Sequence, residues 1–453
     1  NNVSVGSEAL ENNTTGSGHV AVGREALHLN TTGSENTAMG YGALANNTTG
    51  DYNTGIGREA LQMNTTASNN TAVGYQALEE NTTGASNVAV GALALDANTT
   101  GGANIGIGYG SLGSNTTANN NTAVGYDSLG ANINGTQNVA FGNYVLDGNS
   151  TGSHNTGLGY NALTGNTTAS NNTAVGSQAL RVNSTGTANV AVGAFALDAN
   201  TTGESIVAIG KDALGANTTG VSNVAVGKGA LASATVANNN TAVGTHALNA
   251  STTAVQNVAV GTFAADAITT GNDNAVLGTY ALGVCTTGGN NIAIGTSSLG
   301  ANTTASNNTA VGYHSLKENT TGTQNVAVGA NALDANTTGD ANVAVGLSSL
   351  GANQTGARNT AVGDQALLNN TTSNNTAIGS TAARDTTSGI RNVAIGEAAF
   401  RVNTTGSDNV AIGQASLIAN TTASNNTAIG SSALTANTTG TNNVAVGMQS
   451  QKF

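Results

Sequence analysis

The stretch Asn87-Val88-Ala89-Val90-Gly91 decides the fold, because related five-residue motifs recur every 17 residues along the chain. Self-similarity at a fixed short period is typical of a solenoid. A single step of 16 residues, from Gly363 to Gly379, interrupts the 17-residue spacing of the motif's final glycine. Copies of that glycine include Gly6, Gly23, Gly40, Gly57, Gly74, Gly91, Gly108, Gly346, Gly363, Gly379, Gly396, Gly413, Gly430 and Gly447.

The repeat length predicts an all-β parallel β-solenoid, or β-roll, with one coil per copy. Seventeen residues are too few for a helical-hairpin repeat and suit a short strand with its turns. Coils stacked at about 4.8 Å would bring like residues next to each other. We found no linker or change in composition, so residues 1–453 are predicted to form one continuous array of about 26 coils.

Each coil is expected to bury two strand residues and one leucine. Val88 and Val90 lie two residues apart and so share a face, whereas Ala89 points to the other. A second apolar pair, such as Ala77-Leu78, recurs with leucine in nearly every copy; the exceptions are Ala265, Ala383, Phe400 and Gln451. Small residues in the middle of the strand, as at Ala89, would allow close approach by another layer. That layer is either the opposite wall of the coil or a neighbouring chain, and so thin a coil favours an oligomer.

Glycine and asparagine are predicted to shape the corners. The glycine that ends the motif and the loop glycine, as at Gly50, Gly84, Gly101 and Gly152, would supply positive φ. The asparagine before the strand would form a ladder of side-chain amides from coil to coil. His19 and Ile206 replace that asparagine, so no single rung is indispensable.

Composition argues against several functions. The net charge is -12, with 3% aromatic residues and no basic patch, so nucleic acid is not an expected partner. No apolar run approaches a membrane span. Cys285, the one cysteine, occupies a loop position and builds neither a disulfide framework nor a metal cluster. With no unique carboxylate pair either, we expect no enzyme activity, catalytic residue, cofactor or metal. The histidines are interpreted as solvated surface residues: His19, His28, His154, His246 and His314.

The Asn-Thr-Thr loop suggests an exposed edge that displays side chains. Each such asparagine is formally an acceptor for N-glycosylation, although turn chemistry also explains it. The candidate glycosylation sites are Asn13, Asn30, Asn47, Asn64, Asn81, Asn98, Asn115, Asn149, Asn166, Asn183, Asn200, Asn217, Asn302, Asn319, Asn336, Asn353, Asn370, Asn403, Asn420 and Asn437. Threonine pairs in a turn beside glycine are less suited to ice binding than a flat strand face would be.

Tyrosines recur at the position after the motif glycine. They are predicted to form a broken outward row, which either contacts a partner or decorates the surface. Its members are Tyr41, Tyr75, Tyr109, Tyr126, Tyr160 and Tyr313.

The strand motif, as at 87–91 and 342–346, resembles the repeated head motif of trimeric autotransporter adhesins and similar repeats of phage tail fibres. The resemblance implies a left-handed parallel β-roll, three of which pack around an axis, in an extracellular fibre that binds surfaces. The adhesin repeat is typically shorter than the present one.

The function predicted from the sequence is a non-enzymatic structural or adhesive fibre, extracellular or on a virion, with itself as partner and glycans as possible attachments or ligands. The terminal copies lack a polar cap, which leaves open a truncated chain, capping by another domain, or end-to-end joining of subunits. The alternative function is a solenoid that binds ice or glycans.

Overall fold

A computed structural model describes residues 1–451 of the chain, which forms two compact units, Asn1–Asn223 and Val224–Phe453. Within the described residues every regular element is a three-residue β-strand. In the first unit the strands β1–β13 are Val3–Val5, Val20–Val22, Thr37–Met39, Thr54–Ile56, Thr71–Val73, Val88–Val90, Ile105–Ile107, Thr122–Val124, Val139–Phe141, Thr156–Leu158, Thr173–Val175, Val190–Val192 and Val207–Ile209.

The second unit repeats the pattern. Its strands β14–β27 are Val224–Val226, Thr241–Val243, Val258–Val260, Ala275–Leu277, Ile292–Ile294, Thr309–Val311, Val326–Val328, Val343–Val345, Thr360–Val362, Thr376–Ile378, Val393–Ile395, Val410–Ile412, Thr427–Ile429 and Val444–Val446.

Within each unit, consecutive strands pair in parallel with equivalent residues side by side. Val88 of β6 pairs with Ile105 of β7, 17 residues later. At the short step Thr360 of β22 pairs with Thr376 of β23, so the loop absorbs the missing residue and the strand register is kept. The predicted all-β parallel solenoid with a 17-residue coil is therefore confirmed in both units.

The direction in which the strand residues face was predicted wrongly. Ala89 is fully buried, whereas Val88 and Val90 point outward and are half-buried. The interior is too thin for the reverse arrangement: at Gly106, the equivalent of Ala89, an added Cβ would already lie 3.3 Å from Leu95 Cδ1 and 3.1 Å from the Ser111 carbonyl oxygen. The small residues therefore meet the opposite wall of their own coil, and the valine rows form the outer face.

The predicted leucine of the core is confirmed. Leu95 and its equivalents from Leu27 to Leu417 are fully buried, Leu10 in the first coil is half-buried, and Ala265, Ala383 and Phe400 fill the same position in their coils. The backbone here alternates: Leu93 and Leu95 have φ of 57° and 53°, in the left-handed region. The Leu93 N–H donates to the carbonyl of the preceding coil and the Leu95 N–H to that of the following coil. These bonds offset the roughly 1–2 kcal/mol that each left-handed residue costs.

The glycine prediction is right at one corner and wrong at the other. Gly91, at the end of the motif, has a φ of 135°, and an added Cβ would lie 2.5 Å from the Gly108 carbonyl oxygen. The loop glycines Gly50, Gly84, Gly101 and Gly152 do not have positive φ. The left-handed residue of that loop is instead the one before the strand asparagine, as at Ala103, with a φ of 55°.

Candidate interaction surfaces

The asparagines of the Asn-Thr-Thr loops point into the coil rather than toward solvent. Asn98 Nδ2 donates to Asn81 Oδ1 at 2.8 Å and to the Gly101 carbonyl at 2.9 Å. Ladder bonds of 2.8–3.1 Å run without a break from Asn13 to Asn217 in the first unit. Each rung satisfies a buried donor and acceptor, as an apolar interior requires.

This burial corrects the expectation of an exposed asparagine edge. Eighteen of the 20 candidate sites are buried, whereas Asn13 and Asn437 are partly exposed. The buried ones are Asn30, Asn47, Asn64, Asn81, Asn98, Asn115, Asn149, Asn166, Asn183, Asn200, Asn217, Asn302, Asn319, Asn336, Asn353, Asn370, Asn403 and Asn420. Glycosylation itself stays a prediction, and it would have to occur on a nitrogen that the folded chain uses as an interior donor.

In the second unit the asparagine ladder is interrupted. Ala234, Ser251, Ile268 and Cys285 take its position in four successive coils, and all four are buried. Cys285 thus lies in the interior, where desolvation raises the pKa of its thiol. At the short coil the ladder breaks again: Asn370 Nδ2 donates to the Thr372 carbonyl of its own loop, and Asn353 Oδ1 accepts no hydrogen bond from the described part of the chain.

The strand asparagine forms the second interior row, in a different form from the predicted one. Asn70 Oδ1 accepts the backbone N–H of Asn87 at 2.9 Å, and Asn87 Nδ2 donates to the Gly101 carbonyl at 2.8 Å. The ladder therefore runs largely from side chain to backbone and ties the strand to its loop. Direct amide-to-amide bonds join it in parts of the second unit, as between Asn257 and Asn240 at 3.2 Å.

His19 occupies this row and is buried, so its interpretation as a surface residue was wrong. Its Nδ1 lies 3.3 Å from the backbone nitrogen of Asn36, and its Nε2 lies 3.2 Å from Asn30 Nδ2. Desolvation is the main cause of a lowered pKa of the imidazole. His28 is half-buried and its Nδ1 lies 3.3 Å from Glu11 Oε2.

The outer strand face carries two parallel rows of apolar and threonine side chains. The first row contains valine, isoleucine or threonine in irregular order, with alanine at Ala275, and the third strand residue is nearly always valine, isoleucine or leucine. Several of these side chains are more than a third exposed; Phe141 reaches 53% in the first unit and Leu277 50% in the second. A large contiguous apolar surface on a folded protein marks an interaction site.

The threonines of the loop differ in what their hydroxyls do. The first, as at Thr82, donates Oγ1–H to the carbonyl of Thr99 in the next coil at 3.0 Å. The second, as at Thr83, is exposed. The loop edge therefore displays one threonine per coil, and the other hydroxyl is used within the stack.

The tyrosine row is exposed, as predicted. Tyr109 stacks on Tyr126 with ring centroids 5.3 Å apart, and Tyr144, from the neighbouring position, contacts Tyr126 and Tyr160 edge to face. The guanidinium of Arg58 lies 5.8 Å from the Tyr41 ring, a cation–π arrangement.

Aspartates that follow the core leucine are half-buried along one edge. Desolvation raises the pKa of each carboxyl: Asp96, Asp147, Asp198, Asp266 and Asp334. We name this line of positions the post-leucine row. Where two successive coils have glycine there, the edge is notched, as at Gly113 and Gly130 in the first unit and Gly283 and Gly300 in the second.

Comparison with protein-family models and with characterised proteins finds no match to this sequence. Among residues 1–451 there is no helix long and apolar enough to cross a membrane.

Proposed function

We propose that the chain is a non-enzymatic structural module of an extracellular fibre, built to associate with copies of itself through the outer strand face. The observation that carries the proposal is the pair of half-exposed apolar rows along the sheet of each unit. A rigid interior supports it, since buried amide ladders fix the coils at a constant spacing. The resemblance to trimeric adhesin heads supports three copies and a role in adhesion to surfaces.

The lateral contact would be driven by apolar burial. Two outward residues per coil, such as Ile105 and Ile107 of β7, add up over many coils, and each Å² removed from water contributes about 25 cal/mol. Stable interfaces bury roughly 1,600 Å² in total, which a row of many coils readily supplies.

The test measures mass in solution. The unaltered chain is expected to sediment at three times 44.0 kDa. Ile107→Lys with Phe141→Lys places two charges on the outer face and is expected to yield a monomer, whereas Thr117→Lys with Thr151→Lys places them on exposed loop positions two coils apart and should leave the trimer intact. A monomeric unaltered chain would refute self-association. Electron microscopy separates short rods from polymers joined end to end.

A second candidate, ice binding, is favoured by the threonines of the first strand row. Thr54 and Thr71 stand in register on neighbouring strands of a parallel sheet and face outward, about 4.8 Å apart. Hydroxyls and methyls at fixed spacing are suited to ordering water. Thermal hysteresis from a chain that is monomeric in solution would support this candidate, and its absence there would exclude it.

A further inference from the structure

The notch of the second unit is produced by four successive positions of the post-leucine row. These positions are Asp266, Gly283, Gly300 and Lys317, so two coils without side chains lie between two charged ones. At about 4.8 Å per coil, the flanking residues stand roughly 14 Å apart along the stack. The opening is therefore long enough for one sugar ring.

Tyr280 forms one wall of this notch and has a ring face directed along the stack. Its other face packs on Phe263, with centroids 5.3 Å apart and planes within 5°. In the following coil the same position holds Ser297, whose side chain is too short to cover the ring, and both residues line the notch. Tyr280 is 53% exposed.

Polar groups lie around this aromatic wall. Asp266 is half-buried, and its Oδ1 lies 3.5 Å from the point that a Cβ on Gly283 would occupy, so the carboxylate leans over the glycine floor. At the other end Lys317 Nζ lies 2.9 Å from Glu318 Oε1. The notch thus offers one apolar face, carboxylate acceptors and an ammonium donor.

We propose that this notch binds a pyranose ring of a glycan. One face of a pyranose presents C–H groups, which pack on an aromatic ring, and its rim presents hydroxyls that both donate and accept hydrogen bonds. Tyr280 would take the apolar face, Asp266 would accept from a hydroxyl, and Lys317 would donate to another. Few convergent polar groups beside an apolar wall are typical of small-molecule sites.

The notch of the first unit is a natural comparison. Asp96, Gly113, Gly130 and Asp147 follow one another in the same row, so the glycine floor is the same. Tyr109 lines it, but the next coil covers its ring with Tyr126, stacked at 5.3 Å and 14°. Both ends are acidic. Without a free ring face or an ammonium, this notch is not expected to bind the sugar.

The test is saturation-transfer NMR on the full chain with four probes: the methyl glycosides of β-glucose, β-galactose, β-N-acetylglucosamine and α-mannose. At least one is expected to bind. Tyr280→Ala should weaken its binding about tenfold, because an aromatic contact contributes on the order of 1 kcal/mol or more. Tyr280→Phe should retain binding, since it keeps the ring face.

A second variant keeps the test independent of Tyr280. Gly283→Asn fills the floor with a side chain that the row already accepts at Asn249, and it should abolish binding. Tyr75→Ala, at an exposed tyrosine of the first unit that lines neither notch, should leave binding unchanged. Binding by none of the four glycosides, or binding that survives both Tyr280→Ala and Gly283→Asn, would overturn the proposal. The notch lies on a different row from the strand face, so its failure would leave the proposed self-association standing, and the reverse also holds.

Discussion

Asn98 Nδ2 lies 2.8 Å from Asn81 Oδ1 in the interior of the coil, although both residues belong to polar Asn-Thr-Thr loops. Because each coil supplies one donor and one acceptor in the same place, a polar residue is satisfied by its own copies. The interior therefore contains two rows of asparagines together with the row of core leucines. This explains how a repeat with few large apolar residues folds.

Removing one rung should therefore be costly. Asn98→Ala is expected to lower the free energy of unfolding by about 1–3 kcal/mol, because Asn81 Oδ1 loses the donor from Asn98 and Asn115 Nδ2 loses its ladder acceptor. Thr100→Ala, at an exposed position two residues away, should change it by less than about 0.5 kcal/mol. The midpoint of denaturant unfolding measures both. Equal midpoints would contradict the structural role of the ladder.

The glycine that ends the motif should resist substitution. Gly91→Ala combines a φ of 135° with a Cβ 2.5 Å from the Gly108 carbonyl oxygen. Backbone strain of this kind costs about 1–3 kcal/mol before the clash is counted. Gly130→Ala is the control, because its Cβ would meet its nearest neighbour at 3.4 Å and its φ is not positive. A melting temperature for Gly91→Ala equal to that of the control would show that the corner is not constrained.

The buried sequons should be modified in the unfolded chain and not in the folded one. An oligosaccharyltransferase must reach Nδ2, and in the middle coils this atom is buried with two acceptors, as at Asn98. In the folded chain incubated with the enzyme and a lipid-linked glycan, the buried asparagines of the Asn-Thr-Thr loops, such as Asn98, are expected to stay unmodified. Exposed acceptors such as Asn69 and Asn120 are accessible and serve as internal positive controls. Urea-unfolded chain serves as the positive control. Glycopeptides of the folded protein that carry the sugar on a buried loop asparagine such as Asn98 would contradict this.

The repeat could be predicted from the sequence because its glycine recurs at a nearly constant spacing, and that spacing also fixes the strand register. Which strand residues face the interior could not be predicted from the sequence. The alternation of Val88-Ala89-Val90 is compatible with either face being buried. The outcome depends on the distance between the strand and Leu95, which no local pattern encodes. The asparagine of the Asn-Thr-Thr loop was predicted to be exposed because a single copy offers its side chain no partner, whereas in the stack the neighbouring copies supply both donor and acceptor.

The positions of the notches can in part be predicted from the sequence. Asp266, Gly283, Gly300 and Lys317 occupy one position of successive copies, so an alignment of the repeats alone would have shown two glycines between charges. The free ring face of Tyr280 could not have been seen, because it depends on the stacking of Phe263 on one side and the short Ser297 on the other.

Mild acid should stabilise the chain as a whole. Burial raises the folded-state pKa of the carboxyls in the post-leucine row above the unfolded value, for example at Asp96 and Asp334. The folded state then binds more protons than the unfolded one in the window between the two pKa values, so stability rises as pH falls through it. Asp408 acts oppositely, since its bond with Arg391 lowers its pKa, and so does His19, but Glu79 joins the five aspartates as a sixth carboxyl with a raised pKa.

The melting temperature is thus expected to be higher near pH 4 than at pH 7. The double variant Asp96→Asn with Asp334→Asn should have a higher melting temperature at pH 7 and a weaker dependence of that temperature on pH. The reason is that a neutral amide, unlike a carboxylate, does not lose the hydration of a charge on burial. Asp273→Asn, at an exposed position, is the matched control. A melting temperature that falls steadily from pH 7 to pH 4 would argue against this effect.

The coils around His19 should become less stable, rather than more stable, as the pH is lowered. Desolvation lowers the folded-state pKa of its imidazole below 6.5, so the unfolded state takes up a proton first as pH falls, and local stability is lost from about pH 6.5 downward. His19→Asn restores the residue of the neighbouring coils and removes the titration.

Amide hydrogen exchange at Val20–Val22 reports local opening, which in a solenoid is set by adjacent coils. The measured quantity is the ratio of the exchange rate in the unaltered chain to that in His19→Asn. This ratio should be larger at pH 5 than at pH 7.5. His154→Asn, at an exposed position, should leave both rates unchanged. The same ratio of rates at both pH values would show that the buried imidazole does not govern this region.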